Sequence, residues 1–120
     1  MAQNSDSPLI QAYMRFLQLS QVLDGSQNNP PLDANEKVLL EALAVRWHAG
    51  EPMTVMQAMG LKDLGSPATM HRRVARLRKI GLIETLEDPQ DTRIKRLALT
   101  SAALSYFENM GAQLQLATDK

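Results

Sequence analysis

Apolar positions recur every three to four residues along several stretches of this chain and alternate along one, a pattern that predicts mostly helix with a small strand pair. Leu9, Tyr13, Phe16 and Leu17 form one stripe, with Ile10 and Met14 beside it. They follow Ser7-Pro8, a capping residue with proline at the first helical position. A helix over residues 8–23 is expected. Residues 24–31, Asp-Gly-Ser-Gln-Asn-Asn-Pro-Pro, break the pattern and read as a loop. Asp33-Ala34-Asn35-Glu36 is a capping box, opening a helix over 34–48 whose Leu39, Leu40, Leu43 and Trp47 should face the core. Thr54-Val55-Met56-Gln57 is a second capping box, before a helix that Gly60 cuts short. Ser66-Pro67 repeats the start signal of Ser7-Pro8, and Gly81 supplies the left-handed close of a helix over 66–80. Residues 82–86 and 93–99 read as strands, Leu97 and Leu99 sharing one face. Ala103, Phe107, Met110 and Leu114 make the stripe of a last helix over 100–117.

Charge changes the picture at one place. The formal net charge of the 120 residues is zero, which argues against a general polyanion binder. Yet eight of the thirteen Lys and Arg fall between Arg72 and Arg96, against four of the thirteen acids. The helix over 66–80 carries Arg72, Arg73, Arg76, Arg78 and Lys79 and no acid. At about 100° per residue, Met70, Val74 and Leu77 turn inward. Ala68, Arg72, Arg76 and Lys79 point the opposite way with Thr69 next to them, and His71 and Arg73 sit on the flanks. Small residues at the helix start with long cations behind them suit insertion into a DNA major groove, where the arginine fork matches guanine O6 and N7. The N–H groups near Ser66 to Thr69 suit a phosphate. The plain alternative for any one of these arginines is a solvated face, but surface helices ordinarily mix signs.

A basic helix followed by a basic-tipped hairpin is the layout of a winged helix. The expected fold is therefore mainly α with a small β-hairpin: a single domain over 1–120, with a winged helix-turn-helix core over 33–99 flanked by N- and C-terminal helices.

The hairpin also carries a resemblance. Asp91-Thr92-Arg93-Ile94-Lys95-Arg96-Leu97-Ala98-Leu99-Thr100 resembles the wing of the MarR family of transcription regulators, where Asp-x-Arg precedes a hydrophobic position and Leu-Thr. Leu77-Arg78-Lys79-Ile80-Gly81-Leu82-Ile83 is similar to the end of that family's recognition helix, and Met53-Thr54-Val55 to the start of its supporting helix. The likeness spans about residues 33–107, and Gly60 departs from it. It implies a homodimer on a pseudo-palindromic duplex. It also implies that Arg93, held by Asp91, enters the minor groove, and that Ser66, Pro67, Ala68, His71 and Arg72 approach bases or phosphates. The plain alternative for Asp91 and Arg93 is a surface ion pair across a turn.

The expected interface with double-stranded DNA is thus Ser66, Pro67, Ala68, Thr69, His71, Arg72, Arg73 and Arg76 on the helix, with Asp91, Arg93, Lys95 and Arg96 on the wing. No cofactor and no metal are expected: there is no cysteine, and His48 and His71 stand far apart. No catalytic constellation emerges, so an enzyme is not expected. The seven methionines read as flexible core filler. The stripes of the first and last helices exceed what a small core requires, and pairing with a second copy would cover them. The absence of a secretion signal or long apolar run points to a cytoplasmic protein. Rival readings are a protein-interaction module, opposed by the lack of aromatic anchors on the basic face, and a regulator that also binds a small-molecule effector.

Overall fold

A computed structural model describes residues 7–24 and 30–119. Residues 25–29 of the loop expected over 24–31 and the N-terminal six residues lie outside the described residues, while Asp24, expected in that loop, is the last residue of the first helix. The elements are α1 (Pro8–Asp24), α2 (Ala34–His48), α3 (Val55–Met59), α4 (Pro67–Lys79), β1 (Ile83–Glu87), β2 (Lys95–Leu99) and α5 (Ser101–Thr118). They fall into two compact units, one built on α1 and α5 from Ser105 onward, the other spanning Leu32–Leu104.

Local chemistry sets the helix limits in the second unit. Asp33 accepts from the Glu36 amide at 2.7 Å while Glu36 accepts from the Asp33 amide at 3.0 Å, closing the first capping box. Thr54 and Gln57 close the second in the same way. At the end of α4 the Leu82 amide donates to the Leu77 carbonyl and the Gly81 amide to that of Arg78. This is a Schellman close, with Gly81 at φ +84° and buried Leu77 and Leu82 in place for the hydrophobic contact that accompanies it. The chain thereby turns straight from α4 into β1.

The core of this unit gathers Leu39, Leu40 and Leu43 of α2, Ala58 of α3, Met70, Val74 and Leu77 of α4, and Leu82, Ile83, Leu97 and Leu99 of the hairpin. Trp47, expected among them, is only half-buried, because the α2 stripe turns out of the core after Leu43. β1 and β2 pair antiparallel with Ile83 opposite Leu99 and Glu87 opposite Lys95. The strands lie slightly off the expected ranges: β1 runs one residue further, and β2 begins at Lys95. Arg93 and Ile94 belong to the turn, which the Ile94 amide closes on the Asp91 carbonyl at 3.0 Å. Before α3, Met53 and Thr54 run beside β2: the Leu97 amide donates to the Met53 carbonyl at 2.8 Å and Thr54 bridges Arg96.

In the first unit, Arg15 of α1 donates to the carbonyls of Ala117 and Asp119, at 3.3 and 2.7 Å, satisfying the C-terminal end of α5. Leu9, Ala12, Tyr13, Phe16, Leu114 and Ala117 line an apolar groove between the two helices.

Two substitutions in the second unit should separate packing from backbone geometry. Leu77→Ala removes a fully buried side chain and should lower stability by about 2–5 kcal/mol. Gly81→Ala meets no neighbouring atom but a left-handed backbone, and should cost roughly 1–2 kcal/mol. Urea unfolding of the two variants beside the parent checks the order.

Candidate nucleic-acid interface

The start of α4 is a tight, hydrogen-bonded corner. Ser66 caps the helix by accepting from the Thr69 amide at 3.2 Å, and Pro67 follows at the first helical position. The Thr69 hydroxyl accepts from the Ser66 hydroxyl at 3.0 Å and from the Arg72 guanidinium at 3.4 Å. Arg73 turns back instead, donating to the Leu64 carbonyl. A Cβ at position 65 would stand 3.2 Å from the Thr69 methyl and 3.3 Å from Arg73, so Gly65 permits this close packing.

Further along α4 the cations divide. Ala68, His71, Arg72, Ala75, Arg76, Arg78 and Lys79 are exposed. Arg76, expected on the same outward face, leans along the flank to α2, where its Nε lies 2.6 Å from Glu36 Oε2. The Glu36 side chain is only 6% exposed. One of its oxygens caps α2 and the other takes Arg76. The acid missing from the 66–80 segment is thus supplied by a different helix. Arg73 is held inward and Arg76 sideways with half its side chain in solvent, while Arg72 at the N-terminal half and Arg78 with Lys79 at the C-terminal half carry charge that no acid of the fold is shown to meet.

The hairpin tip is organised by two aspartates. Asp88 Oδ1 accepts from the Gln90 amide at 2.8 Å and the Asp91 amide at 3.2 Å, and its Oδ2 accepts from Arg96 Nε at 2.8 Å. Asp91 grips Arg93 with both oxygens: Nε to Oδ1 and Nη2 to Oδ2, each at 3.0 Å, with the Arg93 amide on Oδ1 at 3.1 Å. The Arg93 side chain nevertheless remains 89% exposed, so it is aimed without being covered. Lys95 pairs with Glu87 across the strands at 2.8 Å, both partners half-exposed. Arg96 lies flatter than the sequence suggested, with Nη1 donating to the Pro52 carbonyl at 3.0 Å in addition to its Asp88 bond. The guanidinium of Arg96 holds the Asp88 carboxyl below the usual aspartate range, and that of Arg93 does the same for Asp91.

The helix-corner residues and the Asp91–Arg93 pair are where the sequence suggested. Glu36, Asp88 and Pro52 are the participants it did not reveal. Asp88 had a local signal, Asp-Pro-Gln-Asp being a turn that an aspartate can cap. Glu36 and Pro52 had none beyond their own helix and loop. Among the described residues no group of three His, Cys, Asp or Glu gathers to hold a metal ion.

No family model and no curated protein matches the chain, but solved structures do. A mutant of MepR from S. aureus bound to an oligodeoxyribonucleotide shares 22% identity at a TM-score of 0.57, over 84% of this chain and 66% of that one. MepR bound to ethidium bromide shares 19% at a TM-score of 0.65, over 94% and 79%. A probable transcriptional regulator from Pseudomonas aeruginosa shares 28% at 0.55, over 91% and 75%. The chain has the MarR-like winged-helix fold. In this fold α3 and α4 are the helix-turn-helix and the β1–β2 hairpin is the wing. The resemblance read from Asp91 to Thr100 thus sits on the matching element.

Both wing aspartates titrate below an unfolded aspartate, so their stabilising contribution is complete above about pH 4 and is lost only as pH falls through their depressed values. In an NMR titration the amides of Gln90, Asp91 and Arg93 should hold their shifts down to about pH 4 and move only below it. A transition centred near pH 4, as for a free aspartate, would mean that these carboxylates are not gripped as described.

Proposed function

We propose that this protein is a sequence-specific duplex-DNA-binding regulator of transcription, acting as a homodimer. The observation that carries the reading is the pairing, within one unit, of an outward cationic face on α4 with a wing-tip arginine aimed by a bidentate carboxylate yet almost wholly exposed. α4 enters the major groove with its small N-terminal corner, Ser66, Pro67, Ala68 and Thr69, against base edges and phosphate. Arg72, beside Thr69, reads a base, with His71 on the flank. Arg93 reaches the minor groove with Asp91 behind it. Lys95 lies toward the phosphates. Arg73 acts from behind the surface by pinning the turn before α4, and Arg76, half in solvent beside Glu36, stands on the flank toward the phosphates. That a MepR mutant of the same fold was solved with an oligodeoxyribonucleotide supports the reading.

The dimer reading rests on the first unit. Leu9, Tyr13 and Leu114 border an apolar groove and are each more than half exposed. A second copy laid on these helices would remove that surface from water. No helix among the described residues is long and apolar enough to cross a membrane, and the proposed place of action is the cytoplasm. A small-molecule effector is a second element of the proposal, supported by the ethidium complex of MepR.

Selection of bound duplexes from a random pool, followed by anisotropy titrations at several salt concentrations, tests the reading. A preferred, two-fold-related site is expected. Arg72→Ala should flatten base preference at one position by about 1–3 kcal/mol. Arg93→Ala should weaken binding to every sequence and reduce the salt slope by about 0.9. A parent protein that selects no sequence would overturn the proposal. Separately, Leu114→Glu should convert a sedimenting dimer to a folded monomer, because Leu114 is already 54% exposed within the chain.

A further inference from the structure

We infer that Arg96 and Asp88 are positioning residues that brace the wing against the segment before α3, so that Arg93 is presented at a fixed place. Arg96 spans two parts of the chain: its Nη1 bonds the Pro52 carbonyl and its Nε bonds Asp88, at 3.0 and 2.8 Å. The planar fork of arginine can hold two acceptors in fixed directions, which a lysine ammonium on a flexible stem cannot. Backbone pairing runs alongside, through the Leu97 amide on the Met53 carbonyl and the Thr54–Arg96 bridge.

Asp88 carries the constraint onward. One oxygen faces Arg96 while the other takes the amides of Gln90 and Asp91. Asp91 in turn grips Arg93. A continuous run of hydrogen bonds therefore leads from the Pro52 carbonyl to the tip arginine. The Asp88 side chain is 15% exposed and that of Arg96 36% exposed, against 58% and 44% for the neighbouring Glu87–Lys95 pair. Arg96 thus spends its charge on the wing's own frame, in contrast to the outward role its sequence position suggested.

This inference rests on the DNA-binding reading, and a double-mutant cycle keeps the two apart. On the selected duplex, Arg93→Ala should weaken the parent about tenfold. In an Arg96→Ala background the same change should cost less than about twofold, because the tip is already unplaced. Asp88→Asn keeps an oxygen for the turn amides but loses the carboxylate facing Arg96, and should reproduce the Arg96→Ala result. Arg96→Lys should not rescue. Glu87→Gln should leave the full Arg93 effect in place. Without DNA, amide exchange at Gln90 and Asp91 should quicken in Arg96→Ala and Asp88→Asn but not in Arg93→Ala, a readout that a change in global stability would not confine to the tip.

Additive losses for Arg93 and Arg96 would overturn the brace and make Arg96 a direct contact. So would a parent that binds its selected site indifferently to Arg93→Ala, with the DNA-binding reading left standing. A parent that binds no duplex would remove both.

Discussion

Guanidinium–carboxylate pairing decides where the positive charge of this protein goes. Four cations of α4 and the wing meet an acid from their own turn or from another segment: Arg76 meets Glu36, Arg93 meets Asp91, Lys95 meets Glu87 and Arg96 meets Asp88. The pairs do different things because they differ in burial. An exposed pair is screened by water and adds little, so Asp91 contributes little to stability. What it contributes is direction, a long flexible side chain held at two points with its outer face in water. Glu36 is a different case. Its carboxylate is nearly buried, so it needs the Arg76 guanidinium, and removing that partner would leave a costly unpaired charge. The penalty falls short of that for a wholly buried pair, since half of Arg76 still meets solvent.

Glu36 also ties the scaffold to α4, the helix of the proposed interface. It is the third residue of the α2 capping box and the acid beside α4 at once. The orientation of α4 against α2 is set by packing of Met70, Val74 and Leu77 on one side and by this ion pair on its flank. A helix placed so that its outward residues face a groove must not roll about its own axis. An apolar stripe alone permits some roll, whereas a charge-assisted bond at 2.6 Å to a buried partner does not.

These relations explain which parts of the structure could be read from the chain. Caps, breaks and periodicity are local, and Ser66-Pro67, Asp33 with Glu36, Thr54 with Gln57, and Gly81 all act where the residues predicted. The Asp91–Arg93 pair was expected from the wing resemblance, and it forms between partners two residues apart in one turn. Pairings between segments were not expected. A helical wheel gives the direction of Arg76 around α4 but not the identity of the helix beside that flank, so its Glu36 partner was not foreseen although the arginine remains half in solvent. Arg96 alternates with Leu97 on a strand and should have been solvent-facing on that rule. The loop at Pro52, which stands 44 positions away, receives it instead. Trp47 marks the opposite error: periodicity continued to the end of α2, but the core it was meant to face ends before it.

A net charge of zero acquires a physical meaning in this arrangement. Nonspecific affinity for DNA grows with the number of phosphates neutralised. A chain that spreads thirteen cations over its surface unopposed would bind any duplex well. Here Arg73 is committed to a carbonyl, and Arg76 and Arg96 to acids within the fold. On α4 and the wing, the exposed cations without an acid beside them in the fold are Arg72, Arg78 and Lys79, and Arg93 stands at the tip with its own carboxylate behind it. Fewer phosphate contacts lower the background on random sequence, while an arginine pre-aimed by its own carboxylate loses less freedom when it meets its target. Discrimination is a difference between these two affinities. On the proposed DNA-binding reading, turning charge inward sharpens recognition, as adding a contact does, provided that the arginines that remain outside are held in register with the grooves.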